Sequence, residues 1–179
     1  MSDDAYQLDL DEIAYHEAGH AVAVVHFHEK LLSFTVGPKL HQVEWRCAGS
    51  KCGCPLSRDA HTDIHVMIKI AGSVALSVYR GKSALTDADR ESAAPDWESA
   101  RQLAGRRCLD AKERDAYLKW LERRIRAILV RDWEAVAVLG DHAIWQVNRA
   151  GAVWSVAENT VTGLIASRMA PPWEATERQ

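Results

Sequence analysis

The chain has 179 residues, 47% of them hydrophobic, and a formal net charge of −3. That length suits one domain with a sizeable core, and the charge balance offers no basic face for nucleic acid. No stretch of roughly 18 apolar residues is present to cross a bilayer. The acidic start, Met1-Ser2-Asp3-Asp4, has no apolar segment behind it as a signal peptide would, so a soluble, cytoplasmic protein is expected.

Residues 10 to 31 are expected to form the first helix. Asp9 and Asp11 can cap its start and favour its positive end. Apolar residues recur at Ile13, Ala14, Ala18, Ala21, Val22, Val24, Val25 and Phe27, too densely for a helix lying on the surface. Gly19 inside it costs about 1 kcal/mol relative to Ala, which suggests that a neighbouring segment approaches closely there. Within this helix His16-Glu17-Ala18-Gly19-His20 matches the H-E-x-x-H pattern. Positions i and i+4 share a helix face, so the two imidazoles can reach one metal ion. Glu17 flanks it, placed to take a proton from a water at the open position. A catalytic zinc takes a third protein ligand. The downstream donors are His41, His61, Asp63, His65, Asp87, Asp89, Asp96, Glu98 and His142, and the spacing does not choose among them. His26 stands where an extended motif would place its third His, but Ala23 replaces the required Gly, so His26 is expected on the continuing helix, away from the metal.

Ser33–Val36 and Gln42–Cys47 alternate as strands around a Gly37-Pro38 turn. Such a sheet can offer an edge to an extended peptide. Cys47, Cys52 and Cys54 follow as C-x4-C-x-C, read as reduced thiols near a turn. A structural zinc there would want a fourth ligand, for which His41 and Cys108 are candidates. A second helix is expected from about Asp59 to Arg80, begun by Ser57 and Asp59 and ended by Gly81. His61 and His65 are read as exposed residues on it. Lys82 to Pro95 reads as a loop, followed by helices at about 96 to 108 and 111 to 139 and shorter helical pieces to about Met169. Arg123, Arg124, Arg126 and Arg131 suggest a solvated face, and Trp120, Trp133, Trp145 and Trp154 suggest core or interface anchors.

Ala14-Tyr15-His16-Glu17-Ala18-Gly19-His20-Ala21-Val22 resembles the active-site helix of the FtsH-type ATP-dependent zinc proteases. Met67 to Ala75 resembles that family's second helix, and Asp96-Trp97-Glu98-Ser99-Ala100-Arg101-Gln102-Leu103-Ala104 resembles its Asn-Asp-Leu-x-x-Ala-x-x-Leu-Ala segment. The resemblance runs from about residue 9 to about residue 165. It implies that His16, His20 and Asp96 hold Zn2+ and that Glu17 is the general base. Pro95 stands where the family has Asn, Ser73 where it usually has Gly, and Leu76-Ser77 where it has paired acidic residues. No P-loop, ATPase module or membrane anchor is recognisable.

The expected fold is α+β and mainly α-helical, a zincin-like helical protease domain with a small β-sheet beside the HExxH helix. It forms a single domain over 1–179 with 1–8 and 171–179 as loose tails. The expected function is a zinc-dependent metalloendopeptidase acting on peptides or unfolded segments, ATP-independent by itself, with a separate ATPase as a conceivable partner. The alternative is a non-catalytic, metal-containing module that binds a peptide or partner. Oligomeric state is not legible in the sequence.

Overall fold

The computed structural model describes residues 8–47 and 58–169. Its first helix, α1 (Leu10–His26), opens with a reciprocal cap. Asp9 accepts from the Glu12 amide at 2.8 Å, and Glu12 accepts from the Asp9 amide at 3.3 Å. α1 is buried on nearly every face, packed against α2 (Arg58–Tyr79), α6 (Trp133–Ala150) and strand β1 (Lys30–Val36). Gly19 makes the crossing with α2 possible, because a Cβ there would stand 2.4 Å from Ala75 Cβ and 2.8 Å from the Ala71 carbonyl oxygen.

The first helix is shorter than expected. Phe27 caps it, His28 takes a left-handed φ of 56°, and the chain returns as β1. The segment carries no Gly or Pro to signal this stop. What decides it is burial, since Leu31 and Phe34 reach the core only if the chain turns back along the helix.

β1 pairs antiparallel with β2 (Gln42–Arg46) and with β3 (Trp154–Ala157), in the order β2-β1-β3. β3 falls where short helical pieces were expected. Its four residues alternate too briefly to be read as a strand, and it forms by pairing Val156 with Phe34 and Trp154 with Val36.

The presumed loop before Asp96 contains a helix, α3 (Asp87–Ser92), capped by Thr86 and Asp89 in the same reciprocal manner as α1. α4 (Ala94–Ala104) follows with Pro95 in its first turn. The long helix expected over 111–139 is two helices, α5 (Ala111–Arg131) and α6, broken at Asp132. Asp132 is fully buried. Its carboxylate accepts from Arg131 Nε and Nη2 at 3.0 and 3.1 Å and lies 3.2 Å from His26 Nδ1. The break lets α5 pack on α2 while α6 turns back along α1. After α7 (Glu158–Ile165), a short 3₁₀ helix (Ala166–Arg168) closes the described chain.

Apart from Leu76, the buried apolar side chains of the described residues form one continuous cluster, with Leu8 packed against it. Among the described residues, no helix is long and apolar enough to cross a membrane. The expected tails, Leu8 excepted, and Cys52 and Cys54 lie outside the described residues or at their limit. Of the arginines read as a solvated face, Arg126 turns inward, donating to Ser77 Oγ at 2.7 Å and the Lys82 carbonyl at 3.0 Å. Trp120 and Trp145 are exposed with Arg124 and Arg149 over their rings, whereas Trp133 and Trp154 pack on the core.

Candidate metal centre

His16 and His20 stand one turn apart on the buried face of α1, and the first turn of α4 brings Asp96 to them. Asp96 Oδ2 lies 3.3 Å from His16 Nε2 and 3.1 Å from His20 Nε2, and the two nitrogens are 3.1 Å apart. Three donors around a tetrahedral zinc with bonds of about 2.0–2.1 Å would stand about 3.3–3.4 Å from one another. The observed triangle is within a few tenths of an ångström of that.

The surroundings fit a cation as well. Gly72 of α2 faces both imidazoles, so closely that a Cβ on it would stand 2.5 Å from each Nε2. His20 Nδ1 is 2.7 Å from the Ile68 carbonyl oxygen. A carbonyl only accepts, so Nδ1 carries the proton, and in the neutral ring the lone pair sits on Nε2, facing the site. Burial alone would push the Asp96 carboxyl up. Attraction to His20 and the contacts with both imidazoles outweigh it and hold the carboxyl well below the usual range. His20 is the mirror case: burial lowers it, and Asp96 raises it overall.

Asp96 owes its place to its neighbour. Trp97 is buried, and its Nε1 donates to Ser73 Oγ at 3.1 Å. Ser73 thus ties α4 to α2 next to Asp96. Leu76-Ser77 serves packing in the same way, with Leu76 buried and Ser77 accepting from Arg126.

Glu17 is buried beside the histidines. Its Oε1 accepts from Nδ1 of His41 at 2.9 Å, a contact made from the segment between β1 and β2. That bond raises the His41 pKa against the opposing effect of burial. His41 was one of several loose donors in the sequence, and no local signal tied it to Glu17. Lys69 Nζ stands 3.8 Å from Asp96 Oδ1.

The remaining donors are engaged elsewhere. Asp63 bonds Arg107 and Tyr117, Asp87 pairs with Arg90, and Asp89 pairs with Arg80 and Lys82. Glu98 accepts from Gln102, and His142 contacts Gln146. His26 is the last residue of α1 and belongs to Asp132, not to the metal centre. His61 and His65 are not exposed as expected. They are half-buried, with the Trp45 ring edge-on to His65 at 4.9 Å, because the hairpin covers that face of α2. No protein-family model and no curated protein matches this chain.

Proposed function

We propose that the chain is a zinc metallopeptidase of the FtsH type, with a zincin-like fold, in which His16, His20 and Asp96 hold the metal and Glu17 is the general base. The observation that carries the reading is the convergence of half-buried Asp96 with two buried imidazoles that face Gly72, and Glu17 next to those imidazoles on the same helix. A bound zinc supplies a Lewis acid that polarises a substrate carbonyl and lowers the pKa of water. Glu17 takes a proton from the attacking water on its carboxylate and passes it to the leaving amine. His41, donating to Oε1, holds the Glu17 carboxylate in one orientation and leaves the other oxygen for the proton. β2 is an edge strand, so an extended peptide can add to it beside His41. The substrate class is therefore peptides or unfolded segments.

The test is Glu17→Gln, assayed for metal content and for hydrolysis of a panel of unstructured peptides. The expected result is zinc retained and cleavage lost by at least about 100-fold. Cleavage retained in the variant would overturn the mechanism. No cleavage by wild type across the panel, with zinc bound, would favour the non-catalytic module.

A further inference from the structure

Four donors from three separate places meet on the outer side of α2. Glu29 stands just before β1, Cys47 just after β2, and His61 and His65 occupy the first turns of α2 at the i, i+4 spacing that puts both on one face. Their ligand atoms all lie within 4.8 Å of one another. Cys47 Sγ is 3.9 Å from His61 Nδ1, and Glu29 Oε1 is 3.6 Å from His65 Nε2. Around a tetrahedral zinc the corresponding edges would be about 3.6 Å for sulfur to nitrogen and about 3.3 Å for nitrogen to oxygen, from bonds of about 2.3 Å and 2.0–2.1 Å. These two edges are about 0.3 Å longer than that, and no edge of the cluster exceeds 4.8 Å.

The cluster also contains a buried polar atom that a cation would satisfy. His65 Nε2 is buried and makes no hydrogen bond, although it faces the buried carboxylate of Glu29 at 3.6 Å. A buried ring nitrogen without a hydrogen bond is costly, and a cation held beside it would take up its lone pair.

We propose that Glu29, Cys47, His61 and His65 form a second, structural zinc site, separate from the His16–His20–Asp96 centre. One thiolate, two imidazoles and a carboxylate suit zinc. Four protein ligands close the coordination shell, which is the mark of a structural rather than a catalytic site. The metal would clip the end of the edge strand β2 and the start of β1 to the start of α2. It thereby fixes the hairpin whose connecting segment delivers His41 to Glu17.

The test uses the full chain purified without chelator. Wild type is expected to hold two zinc per chain and His16→Ala one. Co(II) loaded into His16→Ala is expected to show a thiolate-to-metal charge-transfer band and the strong visible bands of a tetrahedral site. Cys47→Ser is expected to abolish the charge-transfer band and one metal equivalent. A His16→Ala chain that binds no metal would overturn the proposal, as would a charge-transfer band that survives Cys47→Ser. Because Cys47→Ser can fail to fold, the unsubstituted protein supplies a second reading. Alkylation of Cys47, mapped by mass spectrometry, is expected to be blocked by zinc and restored by a chelator; equal labelling in both states would count against the site. The peptidase reading is tested separately, since Glu17→Gln leaves this cluster untouched.

Discussion

Gly72→Ala isolates the geometry of the proposed His16–His20–Asp96 zinc centre. The added Cβ would stand 2.5 Å from both His16 Nε2 and His20 Nε2, where non-bonded atoms need about 3.5 Å. Relief requires the imidazoles, or α2 itself, to retreat by roughly 1 Å. The helix cannot retreat freely, because α4 and α5 are packed against it as well. Ligand positions tolerate only about 0.2 Å, so at least one nitrogen should leave the metal. The expected loss of zinc affinity is at least about 100-fold, which corresponds to about 2.8 kcal/mol. Competition against a chromophoric chelator measures it, in a Cys47→Ser background so that the second cluster is silent. Gly163→Ala is the control: a Cβ there meets nothing within 4 Å, and a helical Gly-to-Ala change should be neutral or slightly stabilising. Wild-type zinc affinity in Gly72→Ala would refute the claim that the two imidazoles converge on one ion against α2.

Asp96→Ala should weaken zinc binding at the first centre while leaving the helical circular dichroism unchanged; unaltered affinity would move the third ligand elsewhere. His41→Ala should keep zinc and lower peptide cleavage by roughly 10-fold, and an unchanged rate would mean that Glu17 needs no partner. Asp132→Ala removes the buried carboxylate beside His26 Nδ1 and should cost about 1–3 kcal/mol in urea unfolding. Burial would raise the Asp89 carboxyl, but bonds from Lys82 and Thr86 bring it down to about 2 from 3.8. A depressed carboxyl pKa stabilises the fold above the unfolded value and loses that contribution as pH falls toward the folded one. Asp89 should thus contribute about 2 kcal/mol near pH 5 that fades between about pH 4 and pH 2. Urea unfolding of wild type and Asp89→Asn across that range checks it; parallel acid losses in the two proteins would refute it.

The parts of this protein that rest on local chemistry were legible before any tertiary contact was known. Asp9 caps α1, the dense apolar pattern buries it, and i, i+4 geometry brings His16 and His20 to one point with Glu17 beside them. Gly19 announced a close neighbour and has one in Ala71 and Ala75. The capping pair Thr86 and Asp89 is equally local, but the six-residue α3 that it opens is too short for an apolar period to distinguish from a loop. Asp96 is different in kind: spacing left it among nine donors, and the resemblance alone singled it out. Its position depends on Trp97 reaching Ser73 across 24 residues of sequence.

Other features have no local cause at all. α1 stops at His26 because Leu31 and Phe34 must return to the core, and α5 stops at Asp132 because that carboxylate is buried against His26. β3 exists only as a partner for β1. His41 meets Glu17, and Glu29 and Cys47 meet His61 and His65, through a hairpin folded over two helices. The sequence by itself determined which side chains one helical turn could align. Only the tertiary structure decided which distant groups would be desolvated together, since a charge or an imidazole acquires its partner, and the energy of that partnership, when burial removes the water between them.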